Sequence, residues 1–108
     1  MTERLSHLFH FLEASPTDSF TLYSIAYEYM NQGKYQEALS YFERLKSVDP
    51  AYVGLYYHLG HTLIYLGKPS DAMIVFREGI EVARQKRDFH AQGELQRALT
   101  QAEDEAEA

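Results

Sequence analysis

The sequence predicts an all-α fold, an antiparallel helix-pair solenoid of about six helices, and two observations support it. The first is a 34-residue interval, which relates the stretch Tyr29–Pro50 to the stretch Leu63–Arg84. The second is the helical spacing of apolar residues inside each stretch. Repeats of this length are typical of stacked supersecondary units that cannot bury their apolar faces alone. The residues 34 apart are Gly33/Gly67, Lys34/Lys68, Ala38/Ala72, Phe42/Phe76, Val48/Val82 and Pro16/Pro50.

Residues 1–16 are interpreted as a lone second helix of a pair, an N-terminal half-repeat. Their stretch "RLSHLFHFLEASP" stands 34 residues before "ALSYFERLKSVDP" and places Leu5, Leu8 and Leu12 on one face. The first helix that would pair with it is missing. Phe11 lies on the flank that this helix would cover.

Residues 19–52 form the first complete unit in this interpretation. Gly33 separates two helical patterns, because glycine adopts the left-handed conformation that ends a helix without a Cβ clash. The apolar stripe of the first helix is Leu22, Ile25, Ala26 and Tyr29, and that of the second is Ala38, Leu39, Phe42 and Leu45.

Residues 53–86 repeat the arrangement around Gly67, with Pro69 in the first turn of the second helix, where no backbone donor is needed. Arg84 stands where the interval predicts a proline, so this helix is expected to continue to about Gln85. The two stripes are Tyr56, Leu59, Gly60 and Leu63, then Ala72, Met73, Phe76 and Ile80. Small residues are expected to meet where the helices cross, Ala26 or Gly60 against Ala38 or Ala72, with Phe42 and Phe76 filling the space beyond.

Residues 88–104 predict a C-terminal capping helix with Asp88 as its N-cap. One face is apolar and the other polar, as the end of a solenoid requires. Residues 105–108 are expected to form a frayed acidic tail. The apolar face is Ala91, Leu95, Ala98, Leu99 and Ala102.

These motifs resemble the tetratricopeptide repeat, a 34-residue helix pair with Leu-Gly, Tyr, Ala, an aromatic residue and a closing Pro. The resemblance covers Ser19 to about Lys86, although Leu45 and Gly79 stand where alanine is usual. It implies a right-handed superhelix of two full repeats plus flanking half-repeats, within a single domain. The matching residues are Leu22, Ile25-Ala26, Tyr29, Gly33, Ala38, Phe42 and Asp49-Pro50, then Tyr56, Leu59-Gly60, Leu63, Gly67, Ala72 and Phe76.

Composition and charge indicate which partners and which cellular location to expect. A net charge of −6 disfavours binding to nucleic acid. The basic cluster "ARQKR" stands at an expected helix end, where cations complement the helix dipole. No apolar run approaches the roughly 18 residues of a spanning helix, and the N-terminus lacks a signal-peptide pattern. The chain has no cysteine. We therefore expect a cytoplasmic protein that binds neither nucleic acid nor membrane.

The sequence offers no catalytic motif and no cofactor site. Its glycines are single, without a phosphate-binding loop, and no Ser/His/Asp set is evident. The pairs His58/His61 and His7/His10 have i, i+3 spacing, but a stable metal site needs further ligands, and neither stretch supplies them at matching spacing. We expect no enzyme activity, surface positions for His7 and His10, and either ligand hydrogen bonding or a plain surface role for His58 and His61.

A second apolar stripe on each first helix predicts a binding surface, because a surface helix needs only one such stripe. The resemblance places this second stripe in a concave groove, where tyrosine offers rigid area and a hydroxyl. Its residues are Phe20, Tyr23, Tyr27 and Met30, and then Tyr57, His58, His61, Ile64 and Tyr65.

The predicted function is a non-catalytic protein–protein interaction module that binds a peptide or helix in this Tyr-rich groove. Some family members grip a C-terminal carboxylate with Lys and Asn, but the candidate positions here hold Tyr23, Tyr27, Gly54 and His58. A neutral or aromatic-rich segment fits better. Alternatively, neighbouring first helices bury the stripe, or the chain is a homo-oligomer that covers Phe11 and the aromatic groove by self-association.

Overall fold

Six α-helices and no strand make up the computed structural model, which describes residues 1–108. The all-α prediction of about six helices is confirmed. The chain forms two compact units, Met1–Pro50 and Ala51–Ala108. The helices are α1 (Glu3–Ala14), α2 (Ser19–Asn31), α3 (Tyr35–Val48), α4 (Gly54–Tyr65), α5 (Pro69–Gln85) and α6 (Phe89–Glu107).

In the first unit, α2 packs against both α1 and α3. Three rings from the three helices, Phe9, Tyr29 and Tyr41, lie with centroids 5.9–6.3 Å apart. These contacts fix the lone helix α1 on the helix pair that follows it. The buried apolar residues are Leu5, Leu12, Leu22, Ile25, Ala26, Ala38, Leu39, Phe42 and Leu45, which belong to the predicted stripes.

In the second unit, α5 packs against both α4 and α6, and Gly79 lies at both contacts. A Cβ atom at Gly79 would stand 2.5 Å from Cβ of Tyr56 on α4 and 3.1 Å from Cδ1 of Leu95 on α6. Real carbon atoms do not approach to 2.5 Å, and 3.1 Å is tighter than an ordinary contact. Glycine therefore replaces the usual alanine because even a methyl group has no room there.

Gly60 corrects one detail of the predicted helix crossing. The atoms nearest to a Cβ built at Gly60 belong to the ring of Phe76, whose Cε1 would be 2.1 Å away. Phe76 thus lies directly over Gly60 and does not occupy a space beyond the crossing. The small residue makes room for an aromatic ring, since the ring fills the volume that a side chain at Gly60 would need.

Three helices end in the same turn, with a left-handed residue and a backbone hydrogen bond that spans six residues. Gly33 and Gly67 adopt φ of +74° and +75°, as predicted, and Arg87 adopts +58° after α5. The amides of Lys34, Lys68 and Asp88 donate to the carbonyls of Tyr29, Leu63 and Ala83 at 2.8–2.9 Å. The turn at Arg87 was not predicted, since arginine is not a turn signal.

Two helix starts have a capping carboxylate, whereas the C-terminal end of α6 differs from the expectation. The carboxylate of Asp88 accepts from the amide of Ala91 at 3.1 Å, so the predicted N-cap is present. Asp18 caps α2 in the same way, accepting from the amide of Thr21 at 3.0 Å. Helix α6 continues to Glu107, whereas residues 105–108 were expected to fray. A hydrogen bond from Gln101 to Glu105, one turn apart, supports this extension.

Candidate ligand-binding surface

The α2 stripe, defined as Phe20, Tyr23, Tyr27 and Met30, follows one face of α2. Phe20 and Tyr27 are exposed, at 65% and 38%, whereas Tyr23 and Met30 are half-buried. The rings of Tyr23 and Tyr27 stack at 6.0 Å, and the edge of Tyr23 meets the core ring of Phe42 at 6.4 Å. The packed Tyr23 therefore supports the more exposed Tyr27.

The α4 stripe, defined as Tyr57, His58, His61, Ile64 and Tyr65, is more buried. Tyr65 is 64% exposed, and the other four residues are half-buried. The ring of Tyr57 lies 4.5 Å from that of His61 and 5.4 Å from that of His58. Because His61 also contacts Phe76 at 5.4 Å, this part of the stripe rests on the core.

Both imidazoles of the α4 stripe favour their neutral form. Burial lowers the pKa of His58, and neighbouring His61 lowers it further, whereas the Glu94 carboxylate raises it. Burial also lowers the pKa of His61. The Nε2 atom of His61 is buried without a hydrogen-bond partner, which is costly for a polar atom. The two rings thus act as neutral aromatic surface near pH 7.

The other pair of predicted histidines lies on α1. His7 and His10 are both exposed there, as the spacing of the α1 core residues predicts. Nowhere in the chain do three or more His, Cys, Asp or Glu side chains converge on a point that could hold a metal ion.

A pocket of about 170 Å³ lies between α4 and α6, and we call it the Glu94 pocket. Its lining residues are Val53, Gly54, Tyr57, His58, Ala91, Glu94 and Leu95. Tyr57 and His58 were predicted from the sequence, whereas Glu94 was not, because α6 was interpreted only as a capping helix. A signal was present: Glu94 stands three residues after Ala91 and one before Leu95, on the apolar side of α6.

A broad hollow of about 740 Å³ lies beside α1 in the first unit, lined partly by Phe9, Leu12 and Pro16. On the same helix Phe11 is 65% exposed, although it is a large apolar residue. Phe11 therefore lies on an exposed flank of α1.

Comparison with known proteins identifies the repeat. The family profile described as tetratricopeptide repeat matches residues 29–93. The solution structure of a tetratricopeptide repeat domain protein from Salinibacter ruber is 41% identical, with a TM-score of 0.78, and the match covers 83% of this chain and 91% of that one. Comparison with curated proteins found no match.

Two more distant structures share the fold alone. The type III secretion translocator chaperone SycD of Yersinia enterocolitica matches with a TM-score of 0.89 at 14% identity, covering 96% of this chain and 72% of that one. The Sgt2 tetratricopeptide repeat domain of Aspergillus fumigatus matches with a TM-score of 0.80 at 21% identity, covering 95% of this chain and 66% of that one. None of the six helices here combines the length and apolar character needed to cross a membrane.

Proposed function

Because the chain belongs to the tetratricopeptide repeat family, we propose that it is a non-catalytic interaction module that binds a protein segment through the α2 and α4 stripes. The observation that carries the proposal is the exposure of Phe20, Tyr27 and Tyr65 on the first helices of the two repeats. Large apolar side chains exposed on a surface are typical of interaction sites. SycD, which shares the fold, is described as a chaperone of translocators, and this favours a protein as the ligand.

The chemistry of the stripes favours an apolar or aromatic segment, either an extended peptide or a helix. Tyrosine and phenylalanine rings supply contact area at low entropic cost, and the tyrosine hydroxyls remain able to hydrogen-bond. The stripes contain no lysine or asparagine, so capture of a C-terminal carboxylate is not the proposed mode.

Selection from a random-peptide library displayed on phage tests this proposal without assuming a particular partner. The variant Tyr27→Ser/Tyr65→Ser removes two exposed rings and should weaken the selected peptides at least about tenfold, since interface tyrosines are frequent hot spots. The matched control Ile74→Ser/Phe89→Ser removes two exposed apolar side chains outside the stripes and should bind as the wild type does. Equal affinity for all three proteins would contradict the proposal.

Self-association is a second candidate function, and the exposed Phe11 on α1 favours it. A second copy of the chain would cover this flank. Sedimentation velocity at two concentrations should then show a dimer that dissociates on dilution, and Phe11→Ser should yield a monomer. A wild-type chain that is monomeric at both concentrations would exclude this candidate.

A further inference from the structure

We infer that the Glu94 pocket receives a single basic side chain, lysine or arginine, from the protein segment bound by the stripes. This inference rests on the proposed function, which it sharpens from an aromatic-binding surface to one that also selects a positive charge. Its basis is the combination of one carboxylate, one aromatic ring and apolar walls in a pocket between two helices.

The charge of the pocket is negative. Glu94 is the one acidic residue among its lining residues, and none of them is lysine or arginine. Within the chain, His90 lies beside Glu94, with its Nε2 3.3 Å from Oε1. Neighbouring His58 favours its neutral form because of burial. An incoming ammonium or guanidinium group would therefore meet a carboxylate that no lysine or arginine of this chain occupies.

The walls suit the rest of a long basic side chain. Val53, Ala91 and Leu95 supply apolar surface for the methylene groups, because lysine and arginine bury their stems while their charged ends stay near polar groups. Tyr57 also lines the pocket, and an aromatic ring is a further group that can attract a cation. An apolar cavity of about 150 Å³ holds a benzene molecule, so the pocket of about 170 Å³ has room for one side chain of this kind.

The surrounding charge supports the same choice of partner. Helix α6 carries five acidic residues and one arginine, and the whole chain has a net charge of −6. Such a field speeds the approach of a basic segment and disfavours an acidic one.

The test uses two glutamates of the same helix as a matched pair. Glu94 and Glu103 have side chains that are 42% and 44% exposed, and each substitution to glutamine removes one negative charge. Peptides selected on the wild type and on Glu103→Gln should share a lysine or arginine at one position. Peptides selected on Glu94→Gln should lack that preference.

Replacement of the basic residue in a selected peptide measures the contact directly. Changing lysine to norleucine, which keeps the stem and removes the charge, should weaken binding to the wild type about three- to tenfold. The same change should have no effect on binding to Glu94→Gln. An equal loss with both proteins, or no basic preference on the wild type, would overturn the inference.

The outcomes separate this inference from the proposed function. If Tyr27→Ser/Tyr65→Ser abolishes binding while Glu94→Gln leaves the selected sequences unchanged, the module binds peptides but the pocket does not select charge. If the library yields no binders, a titration with N-acetyl-lysine methylamide, followed by NMR, decides the matter. The amides of Tyr57, Ala91 and Glu94 should shift with this probe and not with its norleucine analogue. Shifts that are identical for the two probes, or absent, would refute the pocket assignment.

Discussion

Replacement of Gly60 by alanine should destabilise the protein, although alanine is the better helix former. The new Cβ would lie 2.1 Å from Cε1 of Phe76 and 2.6 Å from Cδ1 and Cζ of the same ring. Carbon atoms in contact stand about 3.5–4.0 Å apart, so the ring or the helix must move by about 1.4 Å or more. Phe76 is completely buried, and neighbouring core residues oppose that movement.

The magnitude follows from two opposing terms. Alanine gains about 1 kcal/mol over glycine inside a helix. Overpacking of a filled core costs about 1–3 kcal/mol and occasionally more. Because an approach of 2.1 Å is severe, the upper part of this range applies here, about 2–3 kcal/mol. We therefore expect a net loss of about 1–2 kcal/mol, measured by urea unfolding followed with circular dichroism. In thermal unfolding this loss lowers Tm by roughly 4 °C for each kcal/mol.

Two further variants make the reasoning refutable. Gly93→Ala is the matched control, since its Cβ would meet only the end of the Arg97 side chain at 3.5 Å, and it should stabilise α6 by up to about 1 kcal/mol. Phe76→Leu removes the ring atoms that clash, so Gly60→Ala should cost less in that background. If Gly60→Ala matched or exceeded the wild type in stability, the close packing of Phe76 on Gly60 would be disproved.

Three other predictions concern helix ends and histidine charge. Arg87→Gly should raise the stability by up to about 1 kcal/mol in urea unfolding, because φ of +58° strains a side chain there. Gly67→Ala should lower the stability by about 1–2 kcal/mol in the same assay, because alanine, unlike glycine, is strained at the φ of +75° found there. His58 and His61 have lowered pKa values in the folded state, so the unfolded chain binds protons more readily. The free energy of unfolding should therefore be constant above about pH 6.5 and should fall as the pH drops below that value. The variant His58→Gln/His61→Gln should show a weaker pH dependence. Urea unfolding from about pH 7.5 to about pH 5, roughly the window of histidine titration, measures both.

Much of the fold was predictable because its signals are local. Gly33 and Gly67 predict the turns in which they lie, and Asp88 predicts the start of α6, since backbone conformation and capping depend on neighbouring residues. The end of α5 at Gln85 followed from Arg84 standing where the interval predicts a proline. The left-handed Arg87 was not predictable, since arginine has no local preference for a positive φ.

Less of the candidate site could be predicted from the sequence. The stripes could be found from their spacing, but how far Tyr57 and His61 are buried depends on rings that lie on other helices, such as Phe76. The Glu94 pocket joins residues of α4 and α6 that are about 40 positions apart in the sequence. Only the folded arrangement brings such residues together, because α5 separates them along the chain. The repeat boundaries and the binding role of the stripes remain predictions.

The position of Gly79 has a consequence for how the second unit unfolds. One residue sets the spacing of α5 from α4 and from α6, because Tyr56 and Leu95 approach it from two neighbouring helices. Helices α4 and α6 also contact each other, so a separation of either helix from α5 disturbs the same small core. Amide hydrogen exchange in the middle of α4, α5 and α6 should therefore report one shared opening free energy, with the three helices acting as a single cooperative foldon.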